Sequence, residues 1–203
     1  VTASSRPLVD RERAALADLM ADLGPDAGTC CAGWSTAHLA AHLVVRDSRP
    51  DALPGYVLES AGMGGPVVAW AHRTEDRLRG SAPYADLVAR VRSGPPGWAP
   101  TAWPAVARLV DLAEFAVHHE DVRRAQPGWA PRPLPTADQD ALWSALPLYA
   151  RRAAGRRGLV LRRSDAPGRE RRVGAGGRTV EGEPLELLLW CAGRRDVARV
   201  SVG

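Results

Sequence analysis

Between Leu109 and Asp121 the chain carries a polar stripe on an otherwise apolar helix, and that pattern restricts it to folds that bury helices against one another. At about 100° per residue, Asp111, Glu114, His118 and Asp121 gather on one side. Leu109, Leu112, Ala113, Phe115, Ala116 and Val117 cover most of the rest. A stripe on such a helix points inward and needs a cationic partner, because an ionised carboxylate withdrawn from water is costly until it is compensated. One candidate is an arginine, Arg46 or Arg49. The other is a divalent cation that also takes a neutral imidazole nitrogen from His118, one turn beyond Glu114. A third ligand would come from Trp34 to Arg46, which reads as a helix capped by Ser35 with His38 and His42 one turn apart.

Four helical stretches precede residue 126. Asp10 to Leu23 ends at Gly24-Pro25, and Thr36 to Asp47 ends before Pro50. Val67 to Arg79 is extended by Tyr84 to Arg92 after a break at Pro83, and Pro104 to Arg124 is the longest, with its proline in a first-turn position. Such helices predict a four-helix bundle, where metal sites form between facing helices. The segment from Gln126 to Pro135 is too rich in proline for helix or central strand. Beyond it the pattern is mixed: a helix over Asp138 to Ala153, strands over Gly158 to Arg163 and Glu170 to Val173, a helix from Glu183-Pro184 to Gly193, and alternation over Val197 to Val202. Gly174 to Gly177 reads as a hairpin loop. The expected organisation is a helical bundle over 1–126, a linker over 127–135 and a small α+β unit over 136–203.

Two motifs resemble a known family, the mycothiol-dependent maleylpyruvate isomerases and DinB-like metal-binding proteins of actinobacteria. Cys31 to Leu43 is similar to the family's C-x-G-W-S/T opening and the helix after it, whose ligand histidine falls on His42. Glu114 to Asp121 matches E-x-x-x-H-x-x-D, which makes Glu114 and His118 the other two ligands. Leu185 to Arg194 looks like the family's L-L-x-W-x-x-G-R segment; His119 and a rather short C-terminal part depart from the pattern. The resemblance implies a DinB-like four-helix bundle followed by a sterol-carrier-like α+β unit, zinc as the metal, and mycothiol as thiol cofactor or co-substrate.

The 203 residues suffice for a bundle and a small second unit. No stretch approaches a membrane span and the start lacks a signal peptide's apolar run, so a cytoplasmic protein without a membrane partner is expected. Three cysteines make no disulfide framework. All 27 basic residues are arginine. Up to Ala130 there are 13 arginines against 15 acids, and after it 14 against 8, giving about −2 and +6. Aromatic residues do not alternate with these arginines, so a solvated face is favoured over nucleic-acid binding.

Two histidines and one carboxylate leave a coordination position open, which separates a working zinc site from a closed one, though the same set also serves non-haem iron. The expected function is a metal-dependent, mycothiol-using transferase or isomerase acting on a small electrophilic, anionic substrate. Arg46 and Arg194 are the candidates to hold the anion, and Asp121 to orient His118 or pair with Arg46. The competing readings are a buried Glu114–Arg46 pair with His118 hydrogen-bonded nearby, a metal-binding protein without turnover, and an arginine-rich adaptor. His38 is kept as a substitute ligand, His119 and His72 as surface or packing residues, and Cys31 as a packing or redox-active thiol. Trp34 and Trp190 read as packing residues, Trp98, Trp103 and Trp129 as walls of a cleft, and the loop from Pro54 to Pro66 as the seat of substrate choice.

Overall fold

The computed structural model describes residues 5–99, 102 and 111–203. Among them are nine α-helices and one four-stranded sheet, the mostly helical fold with a small α+β unit that the sequence predicts. The helices of the first part are α1 (Ser5–Leu23), α2 (Thr36–Ser48), α3 (Leu53–Ser60), α4 (Pro66–Ser81), α5 (Tyr84–Ser93) and α6 (Leu112–Arg124). Residues 103–110, which include Trp103 and the start of the expected fourth helix, lie outside the described set. α1 packs along α6 and α5, and α2 along α5 and α4. Leu16 and Met20 of α1, Leu39 and Leu43 of α2, Leu87 and Val91 of α5 and Phe115 of α6 share one core.

The break at Pro83 is real: Ala82 is extended (φ −108°, ψ 140°), as the residue before a proline must be, and α5 starts anew. The reading of Pro54 to Pro66 as loop needs correction, because Leu53–Ser60 is helical, with Pro54 in its first turn. Gly55 breaks nothing there. A Cβ on it would lie 2.8 Å from Ala71 Cβ and 3.0 Å from the Val67 carbonyl, so the glycine lets α3 lie close on α4.

The second part comprises α7 (Thr136–Ala145), α8 (Pro147–Ala154), β1 (Leu159–Arg163), β2 (Glu170–Val173), β3 (Arg178–Gly182), α9 (Pro184–Cys191) and β4 (Ser201–Val202). The single helix expected over Asp138 to Ala153 is two, divided at Leu146-Pro147. Strand order is β2-β1-β3-β4, with β1 antiparallel to β2, parallel to β3, and β3 antiparallel to β4. Gly174 to Gly177 is therefore not a hairpin. It carries the chain across the start of β1 from one side to the other, and β3 was not foreseen. A Cβ on Gly158 (φ +79°) would fall 2.2 Å from the Gly176 oxygen, so this crossing needs glycine. Only Ser201 and Val202 of the expected final strand pair in the sheet.

The two parts share a hydrophobic core. Leu142, Leu146, Leu161, Leu185 and Leu188 belong to the same buried cluster as the bundle residues. No helix among the described residues is long and apolar enough to cross a membrane.

Candidate metal centre

Ser35 opens α2: its backbone N–H donates to His38 Nδ1 at 3.2 Å, and its hydroxyl lies 3.0 Å from the same nitrogen. His38 thus secures the helix start, which replaces its reading as a substitute ligand. One turn on, His42 is buried and faces α6. Glu114 and His118, four apart on α6, present one face to it. The ligand-capable atoms of His42, Glu114 and His118 all lie within 4.8 Å of one another.

The orientation of the rings decides what this cluster can hold. His42 Nδ1 is 2.8 Å from Glu75 Oε1, and His118 Nδ1 is 2.9 Å from Asp121 Oδ2, so each Nδ1–H donates to a carboxylate. The Nε2 atoms, 3.3 and 3.2 Å away, converge on a single oxygen, Glu114 Oε1. In neutral imidazoles those nitrogens carry bare lone pairs, and lone pairs aimed at a carboxylate oxygen repel it. Either two protons or one cation must lie between them. Each of the two histidines also has the kind of carboxylate partner that metal-bound histidines use.

Burial alone would push the Glu114 carboxyl up, but Arg46, His118 and His42 outweigh it and hold it well below its ordinary value. Burial works against charge on both imidazoles too. Asp121, Cys31 and Glu114 nonetheless raise His118 well above its ordinary value, and Glu114 with Glu75 raises His42. Asp121 is held low against its own burial by His118 and Arg194.

Arg46 is buried beside the centre. Its Nη2 donates to Asp111 at 2.6 Å and its Nη1 to Asp47 at 3.0 Å, while Nε stands 3.7 Å from Glu114 Oε1, an ion pair beyond hydrogen-bond reach. Arg194, which follows α9, gives Nε and Nη2 to Asp121 at 2.9 and 2.7 Å, and its Nη2 also lies 3.2 Å from Cys31 Sγ. Both guanidiniums are thus matched to protein carboxylates. Asp121 pairs with His118 and Arg194, not with Arg46. Cys31, His118 and Asp121 form a second group with ligand-capable atoms, but Arg194 already supplies the cation there. Cys31 is half-buried in this group, held by the Cys30 N–H bond to the Asp121 carbonyl at 2.9 Å. Burial pushes the other thiols up, Cys30 to about 11 and Cys191 to about 12.

Several residues around the centre carried no sequence signal. Glu75 of α4 also accepts from Tyr56 at 2.6 Å and faces His72 at 3.2 Å, and His72 continues to Glu59 at 3.0 Å. His72 therefore belongs to the polar chain behind His42 and does not stand alone. Tyr149 of α8 brings its hydroxyl to 3.4 Å from Glu114 Oε2. His119 is buried, with Nδ1 2.8 Å from Glu12, and has no part in the centre. The Trp34 ring lies 5.2 Å from His42, Trp98 is exposed, and Trp129 stacks under Arg124 and Arg199.

No family model and no curated protein sequence matches the chain. Two solved structures match in fold: a mycothiol-dependent maleylpyruvate isomerase, with a TM-score of 0.53, and a histidine-to-alanine variant of it, with 0.54. The architecture is similar to that of the isomerase. Each match is 17% identical and covers 96% of this chain and 90% of the other. The likeness to maleylpyruvate isomerase thus spans the bundle and the C-terminal unit together.

Proposed function

We propose that this protein is a metal-dependent enzyme that uses mycothiol, as cofactor or co-substrate, to transfer a thiol to or isomerise a small electrophilic, anionic substrate, in the cytoplasm. The observation that carries the reading is the convergence of His42 Nε2 and His118 Nε2 on Glu114 Oε1, with both Nδ1–H groups tied to carboxylates. His42, Glu114 and His118 would hold the metal, zinc by the resemblance; when bound it would favour the thiolate form of an incoming thiol at neutral pH.

The surrounding residues hold that arrangement in place. Asp121 and Glu75 fix the imidazole tautomers and ring orientations. Arg46 steadies Glu114 and Arg194 steadies Asp121, and in this reading they act as positioning groups in place of the substrate-anion role that their charge suggests. The likeness of fold to a mycothiol-dependent isomerase supports the choice of thiol. Arg162, Arg163, Arg169 and Arg172 are paired with Asp140, Asp165 and Glu170, which supports reading them as an ion-paired face.

Two measurements test the reading. Protein purified without added metal should contain about one equivalent of zinc or another divalent metal, and His42→Ala should lose it. Metal-loaded protein should consume mycothiol in the presence of electrophiles such as conjugated keto acids. Metal without thiol consumption across such a panel would leave a binding protein and remove the enzyme.

A further inference from the structure

Between α2 and α4 lies a cleft of about 230 Å³, lined by Trp34 and His38 on the α2 side and by His72, Glu75, Asp76 and Arg79 on the α4 side. None of His42, Glu114 and His118 lines it. The space is below the roughly 300–1,000 Å³ of pockets for drug-sized molecules and suits one small ring. Three N–H donors along it are uncommitted among the described residues. Arg79 Nε is buried with no hydrogen-bond partner, a costly state for a charged donor. His38 accepts the Ser35 N–H at Nδ1, so its neutral ring carries the proton on Nε2, which bonds to no described residue. The indole N–H of Trp34 makes no such bond either. The carboxylates of the cleft are mostly engaged. Glu75 takes His42 and Tyr56 on Oε1 and faces His72 with Oε2, whereas Asp76 accepts Arg79 Nη2 at 3.2 Å on Oδ1 and keeps Oδ2 as an acceptor.

The cations here are already matched, Arg79 by Asp76 and His72 by Glu59 and Glu75. An anion would meet two carboxylates with no surplus of positive charge, and a cation would meet the three donors. What fits is a neutral group that offers oxygen lone pairs to Arg79, His38 and Trp34 and a proton to Asp76. Hydroxyl groups do both. We propose that the cleft is a ligand site separate from the metal centre, which takes a neutral, hydroxyl-rich ring such as a sugar, with the Trp34 indole as its aromatic wall. The site shares only Glu75 with the surroundings of His42 and does not depend on a metal being bound.

The test uses full-length protein titrated with methyl α-D-glucopyranoside while NMR follows the indole N–H resonance of Trp34, assigned from its loss in Trp34→Phe. That resonance should shift and saturate with a dissociation constant of about 1–10 mM. Arg79→Met, which removes the buried donor, should weaken binding about tenfold at an unchanged thermal midpoint, and Asp76→Asn about threefold. Arg151→Met, on the exposed side of α8, should stay within about twofold of the parent. No saturation below about 100 mM in the parent, or an unchanged affinity in Arg79→Met, would overturn the proposal. Tighter binding of acetate than of the glucoside would overturn it equally, by making the cleft an anion site.

Discussion

Glu75 is the residue on which the geometry of His42 depends, for it takes the Nδ1 proton at 2.8 Å and is itself held by Tyr56 at 2.6 Å. Partners of this kind commonly change metal affinity by about 10–100-fold. Glu75→Gln should therefore weaken zinc binding about tenfold in competition with a chromogenic chelator, and an unchanged affinity would show that the ring is oriented by packing alone. Glu114 and His118 could be paired from the chain because an acid and an imidazole stand one turn apart on one helix, whereas His42 was separated from His38 only by the family resemblance. Glu75 could not. Its acid sits among the ordinary charges of α4, and its partner is 33 positions away. Tyr149 is hidden for the same reason, since its approach to Glu114 is set by the docking of a helix from the other half of the chain.

At the scale of elements, periodicity located the amphipathic helices because each lays one apolar face on the core, and it failed where glycine and proline serve packing. Pro54-Gly55 looks like a loop signal, yet the proline fits a first turn and the glycine permits contact with Ala71. Pro147 was overlooked in the opposite direction, inside a run of good helix formers. The crossing of Gly174 to Gly177 over β1 was missed because strands that flank a third strand leave no local trace of which side they take. That crossing has little tolerance. Gly158→Ala would combine a left-handed backbone with a 2.2 Å clash, and should lower unfolding free energy by about 3 kcal/mol in urea. A loss below ~0.5 kcal/mol would mean that the crossing relaxes freely.

Across the whole molecule, the bundle and the C-terminal unit are joined by apolar contact and by a buried ionic network. Arg132 reaches Glu12 of α1 and Glu120 of α6, and Arg124 bonds Glu120, Glu186 and the Val197 carbonyl. With one core between them, the two parts should melt in a single calorimetric transition, and two resolved transitions would argue for independent units. The same network sets the acid limit. Burial favours the neutral forms of Glu12 and Glu120, but His119 and Arg132 on the first, and Arg124 and Arg132 on the second, lower both carboxyls below their ordinary 4.5. Their contribution is therefore complete above about pH 5 and is lost as pH falls through the depressed folded values. Glu120→Gln should be less stable at pH 7 and show a shallower decline in denaturation midpoint between about pH 5 and 3. An equally steep decline would place the acid sensitivity elsewhere. The depth of Arg124, whose side chain is wholly shielded from solvent, has a practical corollary. A fragment cut in the proline-rich stretch would strip away Glu186 and uncover the greasy flank of α6, so excision of the helical half should give insoluble material instead of a minimal metal-binding module.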